Sequence, residues 1–216
     1  MENSMVLKRL THRMLSLAAV MLLGCAFVQG NAQASISAPD ELIKRISTEV
    51  LSTIQKDKAL QDGDIDKLIK LVDERVMPNI NFTRMTASAV GRGWREASVE
   101  QKNLLTQEFK LLLIRTYAGA FSQAKDVKMQ FIPLRAAPDD SEVIVRTRVV
   151  PPRGEAIQLD YRLERTPQGW KIYDVNVLGV WLVENYRNSF AQEINKSGVD
   201  GLIRTLRQKN IDLAKG

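Results

Sequence analysis

Residues 169–190, GWKIYDVNVLGVWLVENYRNSF, decide how the rest of the chain is read. Trp170, Ile172, Tyr173, Val175 and Val177 are the aromatic and β-branched side chains that fill a pleated strand. Gly179 then permits a sharp turn, and the apolar period lengthens. Val183, Tyr186, Phe190 and Ile194 fall at helical spacing on one face. The stretch offers no catalytic side chain. Its apolar groups build a surface that buries either a core or a guest.

Upstream, the period-2 pattern repeats three more times. Residues 126–134 alternate Val127, Met129 and Phe131 against Lys128 and Gln130. Val143, Val145, Thr147 and Val149 oppose Arg146 and Arg148; Ile157, Leu159, Tyr161 and Leu163 alternate with Gln158, Asp160, Arg162 and Glu164. Turn residues separate these runs at 137–141, 151–154 and 166–169. Four consecutive strands with short connections predict an antiparallel sheet with one apolar and one wet face.

Helices precede the sheet. Pro39-Asp40 opens the first, with Leu42, Ile43, Ile46, Val50 and Ile54 as its stripe. Asp62-Gly63-Asp64 turns into a second carrying Ile65, Leu68, Ile69, Val72 and Val76, which Pro78 ends. A short helical segment at 83–90 is closed by Gly91, and 91–93 reads as a flexible loop. Its G-x-G lacks the preceding strand of a phosphate loop. Ser98-Val-Glu-Gln101 is a capping box that starts the longest helix. Leu105, Phe109, Leu112, Leu113, Tyr117 and Phe121 line one face of it; Leu104, Leu111 and Ile114 broaden the face, so it is expected to be covered on more than one side. Two C-terminal helices, parted at Ser197-Gly198, complete an α+β chain.

Several short patterns follow one another along the chain, among them Arg75-Val-Met-Pro78, Asn81-Phe82, residues 85–92 (MTASAVGR), Trp94-Arg95, Arg115-Thr-Tyr117, Trp170-Lys-Ile-Tyr-Asp174, Asn185-Tyr186-Arg187, residues 198–203 (GVDGLI) and Lys209-Asn210. Their order resembles the periplasmic phospholipid-shuttle family, also called the toluene-tolerance family, the soluble carriers of the Mla lipid pathway. The resemblance implies a curved, nuclear-transport-factor-like sheet with helices over its concave face, enclosing an apolar pocket for acyl chains. It implies no enzyme activity and no cofactor, with phospholipid as cargo. The implied partners are an inner-membrane ABC transporter with a substrate-binding ring and an outer-membrane lipoprotein–porin complex. Membrane contact would be transient, and nucleic acid plays no part.

Candidate wall residues are those on the apolar faces: Phe109, Leu112, Leu113, Tyr117 and Phe121 from the long helix; Val143, Val145, Val149, Ile157, Leu159, Tyr161 and Val177 from the strands; and Val183, Tyr186 and Phe190 from the helix after Gly179. Each could equally be plain core. Arg92, Arg95, Arg115 and Arg187 are candidates to meet a head-group phosphate, because a guanidinium fork matches phosphate oxygens. Asp160 and Asp174 are candidates to pair with those arginines; nothing places them as a catalytic acid and base.

The N-terminus carries its own reading. Lys8, Arg9 and Arg13 precede an apolar run over residues 14–28, and Ala32-Gln33-Ala34 offers a cleavage point. That is a secretory signal peptide over residues 1–34, leaving a single periplasmic domain at 35–216 with a helical part at 35–97. The run is shorter than the ~20 residues of a spanning helix. Leu22-Leu23-Gly24-Cys25 also resembles a lipobox, and acylation at Cys25 would make the chain a lipidated envelope interaction protein instead. His12 and Cys25, the sole histidine and cysteine, both leave with the signal. A domain without either has no Ser–His or Cys–His nucleophile, no ordinary zinc site and no disulfide. Removing three basic and one acidic residue from 31 and 25 leaves 28 and 24, a net charge of +4. That modest excess suits solubility, with weak attraction to anionic lipid or acidic partners.

Overall fold

The computed structural model describes residues 37–215. The signal-peptide and Cys25 readings lie outside them. Helix α1 (Pro39–Lys56) starts with proline at its first position, where the missing N–H costs nothing, and buries Leu42, Ile43, Ile46, Val50 and Ile54. Asp57 caps the one-turn α2 (Lys58–Gln61) by accepting from the Ala59 N–H at 2.9 Å. Asp64 caps α3 (Ile65–Leu71), accepting from the Lys67 N–H at 3.0 Å. The second helix does not run regularly to Pro78. It passes into a π-helical turn at Val72–Val76 and a 3₁₀ turn at Met77–Asn79 that contains the proline.

Helix α4 (Phe82–Val90) follows. The expected loop at 91–93 is instead a hinge and a helix: Gly91 takes φ 66°, and α5 (Arg92–Glu96) begins at once. Gly93 is needed there because a Cβ would lie 2.8 Å from Ile194 Cδ1. Helix α6 (Val99–Ser122) has the predicted capping box, with Ser98 Oγ accepting from the Gln101 N–H at 3.1 Å and Gln101 Oε1 from the Ser98 N–H at 2.9 Å.

A 3₁₀ turn at Gln123–Asp126 leads to the sheet: β1 (Lys128–Phe131), β2 (Glu142–Val150), β3 (Ile157–Thr166), β4 (Gly169–Val177) and β5 (Val180–Trp181). It is antiparallel in chain order. It has five strands, not the four read from the sequence. The fifth is only two residues long, and it forms because Leu178 and Gly179, at φ 54° and 88°, make the tight reverse turn that suits a hairpin. Helix α7 (Leu182–Leu213) follows and breaks at Gly198, where φ is 70° and ψ −176°. This matches the expected pair of C-terminal helices.

The pairing shifts between Arg162 and Leu163, leaving Tyr173 unmatched on β4. This bulge explains why strict alternation fails there. Trp170 and Ile172 before it, and Val175 and Val177 after it, share the inner face with Val145 and Tyr161. Asp174 and Asn176 are nevertheless buried, because β5 and the first turn of α7 cover the β4 edge.

Two apolar clusters hold the domain. One joins α1, α2 and α3 to the inner sheet face through Ile54, Val145, Leu163 and Ile172. The other joins α4, α6 and α7 through Met85, Leu105, Phe109, Phe190 and Leu206. Helix α6 contributes Ile114 to the first and Phe109 to the second, so it is covered on both sides as its broad apolar face required. Each such wholly buried side chain contributes about 1.5–3 kcal/mol relative to exposure. Among the described residues no helix is long and apolar enough to cross a membrane.

Candidate functional site

Fifteen apolar wall residues were expected from the sequence, and the structure sorts them by how completely they are covered. Phe109, Leu112, Val143, Val145, Val183 and Phe190 are buried and packed. Phe109 is the hub: its ring lies 5.0 Å from Tyr186, 5.3 Å from Phe190 and 5.8 Å from Phe82, the first two edge-to-face. Such geometry sets positive ring edge against negative face, and it glues α4, α6 and α7 together. Val143 and Val145 do the same on the sheet.

Leu113, Tyr117, Phe121, Val149, Leu159, Tyr161, Val177 and Tyr186 form a second group, covered only in part, and Ile157 is exposed. Register puts Val145, Tyr161 and Val175 in one row across the inner face, and Thr147, Leu159 and Val177 in the next. Helices α1, α4 and α7 approach the strands closely, whereas the backbone neighbours of α6 are mainly helices. Phe121 and Tyr161 still join the same apolar cluster. Burial raises the phenol pKa of Tyr161, partly offset by the hydroxyls of Thr147 and Ser47. Tyr161 and its row neighbours Leu159, Val175 and Val177 are half-buried side chains on the inner face of the sheet.

Two grooves open at the surface. One, about 480 Å³, runs over Pro39, Leu134, Val143 and Trp170, with Arg165 at its edge. The other, about 440 Å³, is bounded by Leu112, Thr116, Tyr186 and Leu213, with Lys209 and Asp212. Burial raises the pKa of Tyr186, and the neighbouring Tyr117 phenol adds to this; burial raises Tyr117 as well. Both stay neutral at physiological pH and present ring plus hydroxyl, which suits a boundary between acyl chain and polar group.

The expected head-group arginines are scattered. Arg92 and Arg95 are exposed on α5. Arg187 donates from Nε to the Ser88 carbonyl at 3.1 Å. Arg115 donates from Nη1 to the Asn210 carbonyl, tying α6 to the end of α7. The cations that the fold does bring to the grooves are Arg165 and Lys209. Asp174 pairs with Arg162 at 3.1 Å, and Asp160 accepts from Gln158 at 3.0 Å, rather than either meeting the four expected arginines. Neither carboxylate sits opposite another acid at an open site. Among the described residues no cluster of three metal-ligating side chains occurs.

A family model described as MlaC protein matches residues 44–208, more than half of the chain and all but the ends of the described domain. The chain belongs to the MlaC family. Among MlaC relatives, the chain is 23% identical over 186 residues to the Haemophilus influenzae intermembrane phospholipid transport system binding protein MlaC, covering 85% of this chain and 87% of that one. It is 22% identical over 163 residues to the Pseudomonas putida toluene tolerance protein ttg2D, covering 75% of each. A solved structure, the phospholipid-binding protein from Ralstonia solanacearum in complex with a phospholipid, is 42% identical, with TM-score 0.80. That match covers 82% of this chain and 99% of the other, so the MlaC assignment spans helices and sheet together.

Proposed function

We propose that this MlaC-family chain is a periplasmic phospholipid carrier that holds acyl chains between its inner sheet face and helix α6. One observation carries the reading: the inner sheet face keeps a row of half-buried apolar residues around Tyr161, in a chain 42% identical to a protein solved with a phospholipid bound. The physical need is plain. With roughly thirty methylenes at about 0.8 kcal/mol each, a diacyl lipid alone in water is disfavoured by on the order of 20 kcal/mol. A carrier therefore needs a cavity about as apolar as a bilayer. Binding much tighter than the membrane would trap the lipid, so the exchange must be nearly balanced.

The wall is assigned to Leu113, Tyr117, Phe121, Leu159, Tyr161, Val177 and Tyr186, with the sheet curving beneath them in the nuclear-transport-factor-like manner. The head group would lie toward a groove cation, Arg165 or Lys209, or toward the sequence candidates Arg92, Arg95, Arg115 and Arg187. In this role the chain performs no catalysis and needs no cofactor. It would exchange lipid between an outer-membrane lipoprotein–porin complex and an inner-membrane ABC transporter with its substrate-binding ring, preserving outer-membrane asymmetry. The test is Tyr117→Arg: the protein should fold with a wild-type circular dichroism spectrum and co-purify with little or no phospholipid. Wild-type lipid content in that variant would remove α6 from the pocket wall.

A further inference from the structure

The β4–β5 hairpin tip has a feature that packing does not explain. Leu178 is the sole non-glycine residue at positive φ among the described residues, at 54°, and its side chain is 67% exposed. A turn of this hand is ordinarily built from Asn, Asp or Gly, which tolerate the left-handed region; a bulky leucine does not. The backbone is nevertheless held in place. The Gly179 N–H donates to Asn176 Oδ1 at 2.8 Å from a buried side chain, and the Leu178 N–H donates to the Gln158 carbonyl at 3.3 Å. The fold thus fixes a strained aliphatic residue pointing at solvent.

Its surroundings continue the pattern. Val180, paired with Val177, is 51% exposed, and Ile157, at the start of β3, is 37% exposed. Val177, next to Leu178 in the chain, pairs with Leu159, which lies two residues from Tyr161 on the inner face. The same end of the sheet carries the β2–β3 loop and the α6–β1 connection. There Lys125, Lys128, Arg148 and Arg153 are exposed, against Asp126 and Glu155, a net excess of positive charge.

We infer that this end of the sheet is a bilayer-docking edge: Leu178 and Val180 enter the surface of an anionic phospholipid membrane while the flanking lysines and arginines meet its phosphates. Aliphatic side chains on a rigid turn lose their water contact in the acyl boundary, and basic groups around them gain from the negative surface. This rests on the carrier reading, since it places an apolar edge next to Val177 of the proposed wall against the source of cargo.

The test compares the wild-type protein with Leu178→Asn, the substitution the turn geometry prefers, so that folding is retained or improved. Both are floated with vesicles of phosphatidylethanolamine and phosphatidylglycerol, and their bound phospholipid is weighed by mass spectrometry. The expected result is wild-type flotation that falls about tenfold in Leu178→Asn, with bound lipid unchanged. Equal flotation of the two proteins, or no flotation of the wild type, overturns the docking edge. Intact vesicle binding with loss of binding to another envelope protein also overturns it, and assigns the tip to a protein partner. A wild-type protein without bound phospholipid would instead defeat the carrier reading, so the two failures are told apart.

Discussion

Asp174 Oδ1 accepts from the backbone N–H of Val183 at 3.1 Å, joining the middle of β4 to the first turn of α7 across nine residues. The same oxygen accepts from the Val175 N–H at 2.9 Å, and Oδ2 faces Arg162 Nη1 at 3.1 Å. Arg162 in turn stacks over Trp181 at 3.8 Å. One buried carboxylate therefore sets where the hairpin ends and how the helix leaves the sheet. Asp174→Ala would leave the Val175 and Val183 N–H groups without their acceptor and Arg162 with only Glu184 at 3.8 Å and the Trp181 ring, and should cost about 3 kcal/mol. Urea unfolding monitored at Trp181 and Trp170 measures it; Asp174→Asn, which keeps an acceptor, should lose less.

The pH dependence has a definite sign. Burial raises the Asp174 pKa above its ordinary value, outweighing the Val183, Val175 and Arg162 interactions that lower it. The folded state then holds this proton more tightly than the unfolded chain, so the Asp174 contribution favours folding in acid. It is lost as pH rises from about 4 through the raised pKa. Glu142 behaves oppositely: its hydrogen bond with Arg84 holds its pKa below the ordinary value, so its contribution is present above pH ~4.3 and lost as pH falls through the lowered pKa. Subtracting the stability of Asp174→Asn from wild type across pH 3–7 should give a difference that declines with rising pH; Arg84→Gln should remove the acid-side loss associated with Glu142.

Phe109 separates core from pocket. Its contacts with Phe82, Tyr186 and Phe190 are complete without any ligand, so Phe109→Ala should cost about 3–5 kcal/mol in chemical denaturation. Tyr161→Ala, at a half-buried position on the inner sheet face, should cost less and should lower the amount of co-purified lipid. An equal stability loss in both variants would place Tyr161 in the closed core.

Two glycines should respond in opposite directions. Gly198 sits at φ 70° and ψ −176°, a region closed to other residues, so Gly198→Ala should destabilise by about 1–3 kcal/mol. Gly119 lies exposed inside α6 with open space where a Cβ would go, so Gly119→Ala should stabilise by about 0.5–1 kcal/mol. Thermal melts of the pair check both.

Local chemistry made much of this molecule legible. The Ser98–Gln101 box, Pro39 and the Asp64 cap act on groups within a few residues, and four strands are marked by their own side chains; the structure has each of them. What the sequence hid depends on distant partners. Strand β5 exists because Asn176 and the β4 edge hold Leu178 and Gly179 in a turn. The bulge at Tyr173 follows from Arg84 and Glu142, which meet its ring and hydroxyl from α4 and β2. Arg115 and Arg187 looked free in the sequence, yet they reach carbonyls 95 and 99 residues away. Apolar periodicity likewise marks a face without saying how completely it is covered: Phe109 and Tyr117 read alike, yet Phe109 is buried and Tyr117 only half-buried.

The proposed role stands on phospholipid binding at the inner sheet face beside Tyr161. Native mass spectrometry of the protein purified from a Gram-negative periplasm, followed by denaturing extraction, decides it. A mass excess that resolves on extraction into intact phospholipid is expected, and its loss in Tyr117→Arg. A wild-type protein that flies bare and takes up no lipid after incubation with phospholipid vesicles would contradict it.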